Sequence, residues 1–562
     1  MIKFDGNNMR LLEGKMNKLE IKPFDSEDQI FIQHFFKSTF LENKRTPDFD
    51  GKDLDLTDIK HNYCSNGNFW CLKKNHKIVG TIGIRRVDDF YEIRRFFILK
   101  KYQNRNYGKK LLLTAMHFAF QNNFLIIKLA TMKNCINMHH LIKSFGFYQI
   151  KKYNNSTADY FWQYDLTEEN FFKTILNIAQ NSVINSLVLN PTENFPDYYQ
   201  FNTEVFEGLY VSERHKNKND IVIFGGRDES INLYNFSKEL WKKHLNASDV
   251  DLKTFSGLNA HLILFLCIAK RGDKILLLPE NAGGHFSTEE MLKKIGLNVL
   301  HFAINNNERC IDKEKSLAII KESKPNFIFI DRSEGLIYEN FDWLNDITDC
   351  VKVFDASQYL TQIITGYYPN PLLKGFNYLI STLHKNYPGP QKCIIATNKT
   401  NKQWKDFLKD SKTFISNTHP ENIFKSVIPL LNISKLHNYS SICIECCSLL
   451  NQELILRKLP VVLRNKNELS TLHIWLLPKT KNDAYNLFLK LEQVNILVNY
   501  RKLPYDLGYG LRIGVNAAVK QGLRPYHIPH LAEIISEVYF SKKISDTLIN
   551  RTKNLIKDII AK

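Results

Sequence analysis

Five short apolar runs, KILLLP, NVLHFAI, NFIFIDRS, VKVFDAS and YLIST, follow one another between residues 274 and 382, with helix-patterned stretches between them. Near-continuous apolar strands alternating with helices are what a mainly parallel sheet covered on both faces requires. The pattern excludes an all-helical or all-β core here and predicts an α/β architecture. Past about residue 400 the pattern changes to helix, then short strands such as TLHIWLLP and GLRIGV, then a final helix, which reads as a smaller α+β subdomain.

The ends of these runs carry the chemistry. YLIST runs on into Leu383, His384 and Lys385 and then Tyr-Pro-Gly-Pro. A lysine at the end of a buried strand is desolvated, which lowers its pKa towards a usable amine able to form a Schiff base. Seen alone, a surface lysine opening a Pro/Gly turn is the commoner case. However, VFDAS ends at Asp355, thirty residues earlier, where a buried carboxylate is costly without a purpose. TFSGLNAHLILFLCIA places Ser256, Gly257, Leu258 and Asn259 at the start of an apolar helix, a ready phosphate cup. NAGGHFST offers His285 as a flat group. A lysine bound to pyridoxal phosphate needs these three things: a carboxylate for the ring nitrogen, a phosphate cup and a cover for the ring.

The first part of the chain is organised differently. From Leu19 to Leu166 short strands and helices alternate, and YEIRRFFILKKYQNRNYGKKLLLTAMHFA runs from strand through a Gly-containing turn straight into an amphipathic helix. The free amides of Asn106, Tyr107, Gly108 and Lys109 point at whatever lies above that helix start, and a pyrophosphate is the natural guest. This stretch resembles the acetyl-CoA-binding motif of the GCN5-related N-acetyltransferases (GNAT). Gln103, Asn106 and Gly108 fall on the motif positions, with Asn106 in place of the first glycine. The resemblance covers residues 19–165 and includes the Gly-Phe of KSFGFYQI. It implies acetyl-CoA as cosubstrate, pantetheine pairing along Phe97 to Leu99, and Glu92 acting through water as base for an amine. Many members use a tyrosine to protonate the leaving thiolate; Ile142 stands there, with His139 and His140 nearby.

Residues 181–540 resemble serine hydroxymethyltransferase, a fold-type-I pyridoxal-phosphate enzyme. DASQYLTQIITGYYPNPL, STLHKNYPGP and GLRIGVNAAVKQGL follow its aspartate, lysine and arginine motifs; FEGLY and TENF match two further segments. The resemblance implies Lys385 as the Schiff-base lysine, Asp355 on the pyridine nitrogen, and Gln358 and His384 beside the cofactor. It also implies Arg512 as holder of the substrate carboxylate and Glu207 as acid/base. Departures are as informative. Gln358 stands for a ring-side histidine, Gln391 for an arginine and Phe224 for a tyrosine, and SNTHPEN for the Gly-rich loop a neighbouring subunit supplies to the phosphate. LPYDLGYGLRIG lacks the Ser-Pro-Phe segment that lines the family's folate pocket.

The expected organisation is a leader (1–18), a GNAT-like domain (19–165), a linker helix (166–180), a pyridoxal-phosphate large domain (181–400) and a small subdomain (401–562). The expected function is aldol-type Cα–Cβ chemistry on a glycine-, serine- or threonine-like amino acid, without folate, beside acetyl transfer. The alternatives are a tetrahydrofolate-dependent hydroxymethyltransferase and a non-catalytic binding protein with relic sites. The formal charge of +18 comes from lysines spread along the chain, with no nucleic-acid motif, and suits anionic small molecules equally well. Ten scattered cysteines suit a reducing compartment, and no apolar stretch has the length of a signal peptide or a membrane span. A cytoplasmic homodimer joined through the pyridoxal-phosphate domain, with no nucleic-acid or membrane partner and no metal, is therefore expected.

Overall fold

The computed structural model describes residues 19–561 apart from 44, 75–76, 104, 197–200, 210–227, 416–417 and 465–468. The expected leader, Phe224, and the first two residues of SNTHPEN lie outside the described residues. Contacts divide the chain into two compact units, Met1–Ser182 and Val183–Lys562.

In the first unit a seven-stranded sheet is built from β1 (Leu19–Pro23), β2 (Gly67–Lys74), β3 (Lys77–Val87), β4 (Phe90–Ile98), β5 (Ile126–Thr131), β6 (Tyr148–Ile150) and β7 (Tyr160–Asp165), in the order β1-β2-β3-β4-β5-β7-β6. Every pair is antiparallel except β4 with β5, which pair only at Tyr91 and Glu92. Beyond Glu92 that edge of β4 is free. Helices α1 (Gln29–Glu42), α2 (Tyr107–Gln121) and α3 (Ile136–Ser144) follow their apolar periodicity. In α2, Leu111, Leu112, Ala115, Met116 and Ala119 form the buried stripe. Midway along β4, Arg95 takes φ +52° beside a register shift opposite Thr81 to Gly83. Its guanidinium pairs with Asp53 at 2.8 Å and with Asp55, which fixes the preceding loop against the sheet. Helix α4 (Glu168–Ile184) adds Phe171 to this core.

The second unit carries the predicted parallel sheet. Its strands are β8 (Asp249–Asp251), β9 (Lys274–Leu277), β10 (Asn298–His301), β11 (Phe327–Ile330), β12 (Val351–Asp355), β13 (Tyr378–Thr382) and β14 (Cys393–Thr397). They lie in the order β10-β9-β11-β12-β13-β14-β8, parallel from β10 to β13, with β14 antiparallel to both its neighbours. All five apolar runs are strands of this sheet. Helix α5 (Asp228–Leu245) puts Trp241 into the main core, and α6 (Gly257–Ile268) packs on the other face with Trp404 and Phe407. A three-stranded antiparallel sheet, β15 (His473–Leu476), β17 (Gly508–Gly514) and β16 (Asn499–Leu503), completes the unit. No helix of the described residues is long and apolar enough to cross a membrane.

Gly283 shows how tightly the strand-end loops interlock. It has φ +92°, and a Cβ there would lie 2.1 Å from the Glu334 carbonyl oxygen. Its own carbonyl accepts the amides of Ser333 and Glu334 at 2.9 and 3.1 Å. Gly283→Ala should therefore cost about 2 kcal/mol or more, from the left-handed backbone and the forced displacement together. Urea denaturation checks this, and a loss below about 0.5 kcal/mol, the range of ordinary surface changes, would contradict it.

Candidate active site

The C-terminal ends of β12 and β13 lie side by side, with Asp355 opposite Ile380. Sequence places Asp355 as the last residue of an apolar strand, so its carboxyl must find partners inside the protein. It finds the His261 imidazole, whose Nε2 lies 2.8 Å from Oδ2, and the Ser357 amide, which donates to Oδ1 at 2.7 Å. Burial alone would raise this carboxyl, but the His261 bond and charge, a hydrogen bond from the Ser357 side chain and the Lys385 charge outweigh it and hold it at about 2. Asp355 is thus ionised. One strand over, at the end of β11, Asp331 has the opposite fate. Burial, reinforced by the Asp355 charge, pushes it well above the usual carboxylate range. Asp331 accepts the His285 amide at 3.3 Å and so anchors that residue's loop.

Lys385 sits three residues beyond β13, and burial lowers its pKa; the Asp355 carboxylate opposes this and Arg512 adds to it. The chain after it is held rigidly. Asn194, from the TENF segment, donates to the Lys385 carbonyl at 2.9 Å, and Asn386 bonds Thr361 and Gln362. His285 and His384 are both depressed to about 4, first by burial and then by neighbouring positive charge that includes Lys385. Both imidazoles are therefore neutral at pH 7. Ser256 caps α6 by accepting the Asn259 amide at 3.3 Å, and Leu258 is partly exposed. Gly257 lies so close to β13 that a Cβ would stand 3.0 Å from the Thr382 methyl. This helix start therefore faces the strand end that leads to Lys385.

Arg512 reaches the site from β17. Burial brings it down to about 10, with the Glu334 carboxylate opposing and Arg501 adding to the fall. It donates only weakly, to the Ser333 carbonyl at 3.4 Å, and its Nε has no partner among the described residues. A buried guanidinium so poorly satisfied is set for a carboxylate. Gln358 is bonded through Oε1 to His473 Nε2 at 3.1 Å. Glu207 is exposed on the turn that follows residues 204–206, and among the described residues it makes no bond to the Lys385 group. His261, Asp331, His473, Glu334 and Arg501 belong to the site and were not singled out by sequence reasoning. Only His261 left a signal there, as a lone histidine in an apolar helix.

These residues fit pyridoxal phosphate. Asp355 is ionised where a pyridine nitrogen needs a counter-charge, a helix N-terminus opens beside it, and the depressed lysine stands between. Buried polar atoms of Thr382, His384, Asp331 and Gln358, on these strand ends and the loops after them, lack a partner among the described residues. The His261 bond is the largest of the contacts that hold Asp355 ionised, so His261→Phe should weaken the holding of pyridoxal phosphate at least about tenfold, one pKa unit of lost stabilisation. Absorbance titration of the cofactor-free protein measures this; unaltered affinity would show that Asp355 does not depend on His261.

In the first unit β4 and β5 part beyond Glu92. Asn106 is the N-cap of α2 with φ +61°, the left-handed conformation that glycine or asparagine tolerates. Gln103 donates through Nε2 to the Ile98 carbonyl at 2.9 Å, fixing the turn, while Gly108 packs closely on Leu141, whose methyl would lie a tight 3.2 Å from a Cβ placed there. Lys109 follows in the first turn of α2. Phe97 packs edge-on to Phe36 and Phe40, and the Leu99 amide bonds Val79. Glu92 is buried with both oxygens engaged. Arg85 donates to one at 3.1 Å; Tyr153 and Asn154 donate to the other at 3.1 and 2.8 Å. Ile142 is fully buried in the core, and His139 is bonded to Thr131 at 2.9 Å.

Comparison with known proteins agrees with both halves. Residues 36–147 match the acetyltransferase (GNAT) family, and residues 227–535 match serine hydroxymethyltransferase. The serine hydroxymethyltransferase of Saccharolobus solfataricus is 25% identical over 336 residues, covering 57% of this chain and 77% of that protein. That of Pyrobaculum calidifontis is 25% identical over 305 residues, covering 52% and 71%. Among solved structures, L-threonine transaldolase from Pseudomonas fluorescens superposes with a TM-score of 0.63 at 20% identity, covering 69% of this chain and 91% of that one, a likeness of fold. The chain belongs to the serine hydroxymethyltransferase family of pyridoxal-phosphate enzymes and carries a GNAT acetyltransferase domain ahead of it.

Proposed function

We propose that the second unit breaks or makes the Cα–Cβ bond of a small amino acid without folate, and that the first unit transfers an acetyl group from acetyl-CoA to an amine. The observation that carries the first part is the convergence of Lys385, ionised Asp355 and underpaired Arg512 at one end of the parallel sheet. When bound, pyridoxal phosphate supplies an electron sink for the α-carbon. Arg512 would take the substrate carboxylate in a bidentate pair and so fix which α-bond faces the ring. Asp355, oriented by His261, would hold a proton on the ring nitrogen. His285, neutral and anchored through its amide to Asp331, would cover the ring. In cleavage the β-hydroxyl loses its proton, the Cα–Cβ pair stays with Cα, an aldehyde departs, and Cα regains a proton to leave glycine. Lys385, in its ammonium form and made more acidic by burial, would deliver that last proton and be left as the amine. Glu207 is proposed as acceptor of the hydroxyl proton on its sequence match alone.

Folate independence rests on the hairpin between β16 and β17. It turns through Pro504–Leu507 with Tyr505 and Asp506 both at positive φ, 60° and 54°, as a tight turn demands. Tyr505 is buried against Trp475, and its hydroxyl accepts from Arg332. A turn so short and so plugged offers no wall to a pterin. For the first unit, support comes from the free edge of β4 and the left-handed cap at Asn106, which suit pantetheine and pyrophosphate. Glu92, already bonded to three side chains, would have to give up one of them to act through water. The homodimer joined through the second unit remains part of this reading.

Mass spectrometry of products from glycine, serine and threonine tests the function. Threonine-like substrates should yield glycine and an aldehyde without tetrahydrofolate, and adding tetrahydrofolate should leave serine cleavage unchanged. A many-fold stimulation by tetrahydrofolate would replace this reading with the folate-dependent one.

A further inference from the structure

The carboxylate anchor has an unusual neighbour. In the sheet of β15, β17 and β16, Arg512 lies opposite Trp475 on one side and Asn499 on the other. Arg501 is two residues beyond Asn499, so it projects from the same face as Arg512, and His473, two before Trp475, does too. Arg501 is only partly buried, with 28% of its side chain exposed, whereas Arg512 is almost wholly enclosed. The positive charge of Arg501 is felt at His285 and at His473, the imidazoles on the Lys385 side of the site. The pocket therefore holds two guanidinium groups at different depths.

Glu334 stands between them. Its side chain is 1% exposed; one oxygen contacts Arg501 Nη1 and lies 3.9 Å from Arg512 Nη1, and the other has no partner. The loop that presents it is fixed, since the amides of Ser333 and Glu334 both donate to the Gly283 carbonyl. Counting charges, the two arginines and Glu334 leave one positive charge, which a single carboxylate on Arg512 cancels. A second carboxylate on the substrate side chain would find Arg501 already paired and would meet the Glu334 carboxylate instead.

We propose that Glu334 is a specificity determinant: by occupying Arg501 it restricts the pocket to amino acids with one carboxylate and rejects those with a second on the side chain. The proposal rests on the amino-acid reading above and names the substrate class that reading leaves open. It also gives Arg501 a defined role as a guanidinium that would accept a distal carboxylate were Glu334 not charged.

Calorimetric binding of L-serine and L-aspartate to the full-length protein loaded with pyridoxal phosphate tests it. Wild type should bind serine and bind aspartate far more weakly. Glu334→Gln should raise aspartate affinity at least tenfold while serine affinity changes much less. Adding Arg501→Ala to that variant should abolish the gain, a reversal that a merely structural role of Glu334 would not produce. Aspartate binding as weak in a folded, serine-binding Glu334→Gln protein as in wild type would overturn the proposal. Should that variant not fold, Arg501→Gln serves instead. With Arg501 gone, Glu334 is left to Arg512 alone, and serine affinity should fall at least tenfold; unchanged serine affinity overturns the proposal equally. Wild type that binds neither serine nor threonine would defeat the amino-acid reading itself, and this inference with it.

Discussion

The carboxylate of Asp355 is the charge about which the second unit is arranged. It lies at the end of a strand whose neighbours are apolar, so folding must either neutralise it or surround it with donors. The protein does the latter. His261 comes up from α6, Ser357 turns its amide back, and Lys385 arrives from the adjacent strand. Each partner belongs to a different element, so the parallel sheet and α6 must be in register before the charge is tolerated. The same arrangement leaves Lys385 desolvated and helps to push Asp331, one strand away, well above the usual carboxylate range. One ionised acid thus sets the state of the groups around it.

Much of this was legible in the sequence, for identifiable reasons. The five apolar runs became strands because a sheet buried on both faces leaves no other role for them. Asp355 and Lys385 could be found because each ends such a run, where a charged residue is conspicuous. Asn106 was legible as a substitute for glycine, and its φ of +61° is the physical reason the substitution is accepted. What was not legible depends on register. His261 bonds Asp355 across 94 residues, and within HLILFLCIA it reads as one more helix position. Arg501 and Glu334 are ordinary charged residues in their local segments. Only the pairing of Asn499 with Arg512 puts Arg501 beside the carboxylate anchor, and only the Gly283 turn delivers Glu334 between them. Glu92 was found as a carboxylate on the right strand, but its bonds to Arg85, Tyr153 and Asn154 come from segments whose proximity no local pattern encodes.

One departure from the family pattern, the missing Ser-Pro-Phe segment, falls at the hairpin between β16 and β17. Arg501 lies on β16 just ahead of that hairpin and meets Glu334 from the loop after β11, while Asp355, Lys385 and the Ser256 cap lie on the large sheet and its helix α6. The division is a physical one. In the function proposed here, cofactor chemistry would rest on groups held by the parallel sheet and substrate choice on side chains of the three-stranded sheet.

The central claim is that Lys385, among several buried lysines, is the one that carries the cofactor. Lys392 is its nearest rival by chemistry: burial depresses it to about 7, yet its ammonium is already committed to the carbonyls of Lys253 and Thr418, at 3.0 and 2.6 Å. Borohydride reduction of the loaded protein, followed by peptide mapping, would fix the cofactor covalently to whichever lysine holds it. The account predicts the modification on Lys385 alone; its appearance on Lys392, or on no lysine, would contradict it.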